Sequence, residues 1–205
     1  DGDGQAYRLN DTASTLALAH DALAQGTTLA DLATARRGDA LDLAGVALLS
    51  PIDHGDPAHL LVSGPGLTHL GSAEGRDKMH KAAAAGQATD SMRRFLEGAE
   101  GGKPAPGQTG QQPEWFYKGD GSILVAPGTP LHRPGFAQDG GEEPEIAGIY
   151  VIDANGNPVR LGFALGNEFS DHVTERHNYL WLAHSKLRQA ALGPELLLGA
   201  LPADV

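Results

Sequence analysis

The stretch EEPEIAGIYVIDANGNPVRLGFALGNEFSD, residues 142–171, decides how the rest of this chain is read. Two apolar runs, IAGIYVI and VRLGFAL, flank Asn155-Gly156. An Asn-Gly pair between such runs is a strong local signal for a hairpin closed by a type I′ turn. A two-residue turn places Glu143 opposite Glu168. Glu145, two residues along, shares a sheet face with both, because side chains alternate with a period of two. Like charges directly opposite one another are destabilising, so three carboxylates on one face need a cation, protons or ample solvent. An all-oxygen set suits Mg2+, Mn2+ or Ca2+ better than zinc. The plainer reading is a solvated hairpin end, and Pro144 does point to an edge or irregular strand.

Composition narrows the function classes. The 205 residues suffice for one large domain or two small ones with a sizeable core. A formal net charge of −11 argues against nucleic acid and against anionic membranes. An anionic substrate then needs a local cationic or metal-bearing pocket. The chain has no cysteine, which excludes disulfides, thiolate zinc sites and a cysteine nucleophile, and fits a reducing cytoplasm. The opening DGDGQAYRL lacks the regions of a signal peptide, and no apolar run reaches the length of a membrane helix. The chain therefore reads as soluble and cytoplasmic.

Before the hairpin, Asp11 or Thr12 is positioned to cap a helix running through Ala24, with Gly26 ending it. TTLADLATARRG (27–38) reads as a second short helix. AGVALLSPI (44–52) reads as a strand, and HLLVSGPGLTHLGSA (59–73) as a strand entering a Gly-rich loop. Residues 72–97 look helical with a break near Gly86, and residues 98–113 look like a Gly/Pro/Gln-rich loop. GPGLTHLG does not fit the dinucleotide fingerprint G-x-G-x-x-G. These features suggest a small α/β segment over residues 1–60, followed by a second domain over 61–205.

Several of these segments, taken together, resemble the fumarylacetoacetate hydrolase superfamily. EEPEIAGIYVI resembles its Glu-x-Glu strand, GFALGNEFSD its later acidic segment, and SKLRQAALGPELLLG its lysine-then-Gly-Pro segment. The resemblance spans roughly residues 60–199. It implies an α+β fold, a mixed β-roll preceded by the small N-terminal α/β segment. The roll would continue through further strands beyond LPADV, so the chain is expected to be C-terminally incomplete. It implies metal ligation by Glu143, Glu145 and Glu168, with Mg2+ as cofactor and Mn2+ or Ca2+ as substitutes. Glu168 stands where the family more often has Asp. The active-site lysine is implied at Lys186. WFYKGDGS resembles the segment that brings Lys118 and Ser122 near the substrate, and GLTHLGSA the loop carrying a catalytic His, here His69. A homodimer is implied as well.

GLTHLGSA, PEWFYKGDGS and NEFSDH look most like the sugar-acid branch, the 2-keto-3-deoxy-pentonate dehydratases. Hydrolases and decarboxylases of the superfamily often have Glu three residues after the His. Ser72 stands there, with Glu74 the nearest acid, and this tilts the reading toward a lyase. The implied chemistry is dehydration of a 2-keto-3-deoxy sugar acid to 2,5-dioxopentanoate. The metal would chelate the C1 carboxylate and C2 carbonyl and so acidify C3. Lys186, its pKa lowered by burial and the metal, would take the C3 proton or hold the enolate. His69 would protonate the departing hydroxyl, and Lys118 would bind the carboxylate or orient a ligand. The alternatives are an acylpyruvate hydrolase or oxaloacetate decarboxylase on the same metal site, and a sugar-acid binding protein without turnover.

After Glu168, Ser170 reads as a helix N-cap with Asp171 favourable to the helix dipole. His172, Glu175, His177 and His184 suggest a His-rich metal site, yet no H-E-x-x-H occurs, and surface or hydrogen-bonded histidines are the commoner outcome. Tyr179, Leu180, Leu182 and Leu187 fit an apolar stripe packing on the sheet, and Trp181 either a pocket cover or core.

Overall fold

The computed structural model describes residues 4–65, 86, 90–101, 104–110, 115–177 and 179–201. The first element, β1 (Ala6–Leu9), pairs antiparallel with β2 (Arg37–Leu41), and α1 (Thr15–Gln25) and α2 (Leu29–Ala35) lie between them. The cap of α1 is Ser14, whose Oγ accepts from the Ala17 N–H at 3.1 Å, rather than Asp11 or Thr12. Asp11 is in the left-handed region at φ 48°, and the Thr12 hydroxyl donates to the Asn10 carbonyl, so both belong to a turn. Gly26, at φ 64°, ends the helix as expected. Thr28 caps α2 through the Asp31 N–H.

AGVALLSPI forms no strand. Its start is broken by a turn at Gly45 (φ 82°), Val46, Leu48 and Leu49 are exposed, and only Ile52 enters the core. The partner of β1 comes from the preceding RGDAL, where a helix end was expected. β3 (Leu61–Pro65) pairs antiparallel with β4 (Trp115–Asp120). Helix α3 (Asp90–Gly101) starts after the left-handed Gly86 and continues into the region read as loop. Among the described residues no helix is long and apolar enough to cross a membrane.

The main sheet contains β5 (Leu124–Val125), β6 (Pro144–Ile152), β7 (Pro158–Asn167), β8 (Ala190–Leu192) and β9 (Leu197–Leu198). The order is β5-β8-β7-β6, with β9 also on β7. Among the described strands of this sheet only β5 and β8 run parallel, so the sheet is mixed and the fold α+β. At Gly162, where β9 crosses, an added Cβ would collide with the Leu197 carbonyl oxygen. Gly162→Ala is expected to cost about 1–3 kcal/mol in urea unfolding. An unchanged midpoint would mean that β9 is not seated there.

The hairpin differs from the expected one at two places that compensate. Its loop has three residues, not two. The Asp153 N–H donates to the Asn157 carbonyl, and Gly156 takes the left-handed conformation at φ 84°. The Asp153 carboxylate favours this loop by accepting from the Asn155 and Asn157 N–H groups, each at 2.8 Å. Alone, the extra residue would turn Glu168 to the opposite face, because a one-residue slip reverses every side chain. A bulge between Ile149 and Tyr150 takes up one extra residue of β7, Leu161. Leu161 and Ala164 are consequently both buried, at 8% and 5% exposure, although three residues apart. Beyond the bulge the expected register holds, and the Glu168 N–H donates to the Glu143 carbonyl at 2.9 Å.

The core lies on the inner face of this hairpin. Ile149, Val151, Leu161, Ala164 and Leu192 pack with Ile52 and with Ala19 of α1, while Leu18, Ala22 and Leu32 make a smaller cluster between α1 and α2. Following β6 outward by twos from Val151 leads through Ile149 and Ala147 to Glu145 and Glu143. The carboxylates therefore continue the core face past the last apolar layer.

Candidate metal-binding active site

Alternation along β4 turns Phe116 and Lys118 inward. Lys118 is 1% exposed, and its Nζ donates to the carbonyls of Phe169 and Lys186, both at 2.8 Å. The same Nζ stands 3.6 Å from Glu168 Oε1. Lys186 ends α5 (Leu182–Lys186) and is 3% exposed. Its Nζ donates to Glu143 Oε1 at 2.5 Å and lies 3.6 Å from Glu168 Oε2. Oxygens of Glu143, Glu145 and Glu168 lie within 4.8 Å of one another. The structure thus brings together five residues singled out in the sequence: three acids and two buried lysines.

Of the other two, the structure describes only Ser122. Ser122 sits in the turn after β4, exposed, and its hydroxyl donates to Asp120 Oδ1 at 2.5 Å. His69, with Ser72 and Glu74, lies outside the described residues.

Helix α4 (His172–His177) adds His172 and Glu175. His172 Nε2 is 2.9 Å from Glu143 Oε1, and Glu175 Oε2 is 3.5 Å from Lys186 Nζ. Glu143, His172 and Glu175 make a second group whose ligand atoms lie within 4.8 Å of one another. The i, i+3 spacing just after Glu168 is the sequence signal for this pair. The cap of α4 is Asp171, not Ser170: its Oδ1 accepts from the Thr174 N–H at 2.9 Å. The Ser170 hydroxyl donates to the Glu168 carbonyl instead. His177 stacks on Trp181, and His184 lies near Phe136. The expected apolar stripe does not form. Leu180 is 80% exposed and Leu187 half exposed, because a 3-10 turn at Tyr179–Trp181 between α4 and α5 breaks the helical period. Trp181 is neither core nor buried.

Electrostatics at the cluster are dominated by burial. Burial pushes Glu168 up to about 7, with Glu143 and Glu145 adding to the rise and the two lysines opposing it. Burial and the neighbouring Glu143 also raise Glu145. Glu143 is held below the usual range, because Lys186 and His172 outweigh its burial. Burial brings Lys118 down to about 8. Lys186 moves up rather than down as expected: the pull of Glu168 and Glu143 exceeds the cost of burying its charge.

These shifts set a pH dependence. A carboxyl that holds its proton longer when folded makes the native state bind more protons between the two pKa values, so stability falls as pH rises through that window. For Glu168 the window runs from 4.5 to about 7. Glu145 shifts the same way. Without divalent cation, Glu168 is expected to cost the chain about 1–3 kcal/mol between pH 5 and 7.5. Added Mg2+ is expected to raise Tm more at pH 7.5 than at pH 5.5. An equal rise at both values in scanning calorimetry would contradict this.

The buried donors and acceptors fit a cation. Glu168 Oε1 is buried and, among the described residues, accepts no hydrogen bond. Three facing carboxylates offer the all-oxygen donor set of a hard divalent ion.

No protein-family model matches the chain, and no curated protein matches it. Among solved structures it is similar to the apo form of 2-keto-3-deoxy-D-arabinonate dehydratase, with a TM-score of 0.57, 19% identity, and coverage of 96% of this chain and 60% of that one. It is also similar to a 2-keto-3-deoxy-D-arabinonate dehydratase complexed with magnesium and 2,5-dioxopentanoate, with a TM-score of 0.54, 19% identity and the same coverage. The chain spans about 60% of the length of the structures it matches. At this identity the likeness speaks for the fold. The chain shares the fold of these 2-keto-3-deoxy-D-arabinonate dehydratase structures.

Proposed function

We propose that this chain carries the active site of a divalent-metal-dependent lyase that dehydrates a 2-keto-3-deoxy pentonate to 2,5-dioxopentanoate. The observation that carries the reading is the convergence of Glu143, Glu145 and Glu168 on two buried lysines, within a dehydratase fold. A divalent cation held by the three carboxylates supplies the positive charge that polarises a 2-oxo acid and acidifies its C3 protons.

The chain's own residues do the rest. Lys118, anchored on two carbonyls, keeps Glu168 in place. Lys186 is the group for the C3 proton. Glu143 and Glu168 hold it as an ammonium. A cation bound to those carboxylates would cancel their pull, so that Lys186 would take the C3 proton as an amine and then hold the developing enolate oxygen. The C4 hydroxyl leaves as water with one added proton, a role the sequence resemblance assigns to His69. Loss of the C3 proton and the C4 hydroxyl leaves a C3–C4 alkene conjugated to the 2-oxo group. Transfer of a C5 proton to C3 gives the C4–C5 enol, whose tautomerisation yields the C5 aldehyde.

The test follows 2-keto-3-deoxy pentonates of both hands by NMR, with Mg2+ and then with EDTA. Metal-dependent appearance of 2,5-dioxopentanoate is the expected result. Mg2+ binding without turnover of either would sink the dehydratase reading and turn attention to acylpyruvates, to oxaloacetate, and to binding without turnover.

A further inference from the structure

Outside the three candidate ligands, one face of the site has no assigned task. His172 and Glu175 stand one helical turn apart on α4 and both point at the cluster. The Glu143 Oε1 atom already takes Lys186 and His172, which leaves it little capacity for a ligand. Glu175 Oε2 differs: it is buried and, among the described residues, accepts no hydrogen bond, and Lys186 Nζ at 3.5 Å is a charge neighbour without a hydrogen bond to it. An ionised carboxylate is acceptor-only. What satisfies it is a hydroxyl or N–H donor.

Charge points the same way. Three carboxylates, one divalent cation and two ammonium groups leave one positive charge, and the C1 carboxylate of a 2-oxo acid takes it up. Glu175 then adds a further carboxylate at this face of the site. A ligand tail carrying a second carboxylate is opposed there, because like charges at close range in a partly desolvated site repel strongly. A tail carrying a hydroxyl donates to Glu175.

We infer that His172 and Glu175 form the tail-recognition face of the site and select 2-oxo acids with an uncharged, hydroxylated tail over 2-oxo dicarboxylates. The inference rests on the metal-dependent 2-oxo acid reading above. It adds the residues that separate sugar acids from their acidic analogues.

The test uses two matched five-carbon probes without a C4 leaving group, 5-hydroxy-2-oxopentanoate and 2-oxoglutarate, with pyruvate as the tail-less reference. Binding to the Mg2+-loaded chain is read by titration calorimetry. The wild type is expected to prefer the hydroxylated probe by about tenfold or more, and Glu175→Gln to narrow that preference by about tenfold. A preference resting on charge also shrinks as ionic strength rises; this arm needs no variant. No wild-type preference, a preference insensitive to salt, or one unchanged in a Glu175→Gln protein that still binds pyruvate would each overturn the inference alone. A wild type that binds no pyruvate with Mg2+ would overturn the functional reading and this inference with it.

Discussion

Lys186→Met is expected to lower turnover of the hydroxylated 2-oxo acid by about 10²–10⁴-fold, the range for loss of a proton-transfer group. Methionine keeps most of the stem that packs at the end of α5, so the chain should still fold. The Nζ it removes stands within 2.5–3.6 Å of Glu143, Glu175 and Glu168. Those carboxylates then lose their nearest counter-charge, and a divalent cation becomes their main compensation. The variant should therefore combine a large fall in kcat with a greater Tm gain from Mg2+ than the wild type shows. Turnover within threefold of the wild type would remove Lys186 from the chemistry. Lys118→Met is a different experiment, since its Nζ fastens two carbonyls and its loss loosens the positions of Phe169 and Lys186 themselves.

Asp171→Ala is expected to destabilise the chain by about 3–5 kcal/mol, as when one partner of a buried ion pair is removed. Asp171 is 1% exposed and accepts from the Gln138 N–H, the Thr174 N–H and the Thr174 hydroxyl. These bonds hold its pKa far below the usual carboxylate range in spite of burial. Arg188 Nη2 lies 3.9 Å away, and Arg188 Nε and Nη1 are buried with no hydrogen-bond partner among the described residues. Removing Asp171 leaves that guanidinium without this counter-charge and takes away one of the ties between the segment before Glu143 and α4. Asp171→Asn, which retains an acceptor for the Thr174 N–H, should lose less. Urea unfolding checks both, and a loss below about 1 kcal/mol for the alanine variant would show that solvent reaches the pair.

The sequence by itself determined what depends on near neighbours. The hairpin was legible because strand alternation and turn chemistry act over a few residues. Gly26 was legible for the same reason, as a local stop. The hairpin loop is nonetheless one residue longer than expected, and the three acids face one another only because the bulge at Leu161 restores the register. Lys118 and Lys186 were marked only by their motifs, since nothing local distinguishes them from surface lysines. The compensating bulge at Leu161 was not legible, because it answers to packing against Ile52 and α1 rather than to any local preference. AGVALLSPI has the composition of a strand but finds no partner edge, and pairing is a property of the sheet. Only the tertiary structure decided which charges meet. Lys118 reaches carbonyls 51 and 68 residues away, and Lys186 a carboxylate 43 residues away. Contacts at such separations form only when the whole sheet has closed, and burial there, rather than residue type, sets the protonation of the cluster.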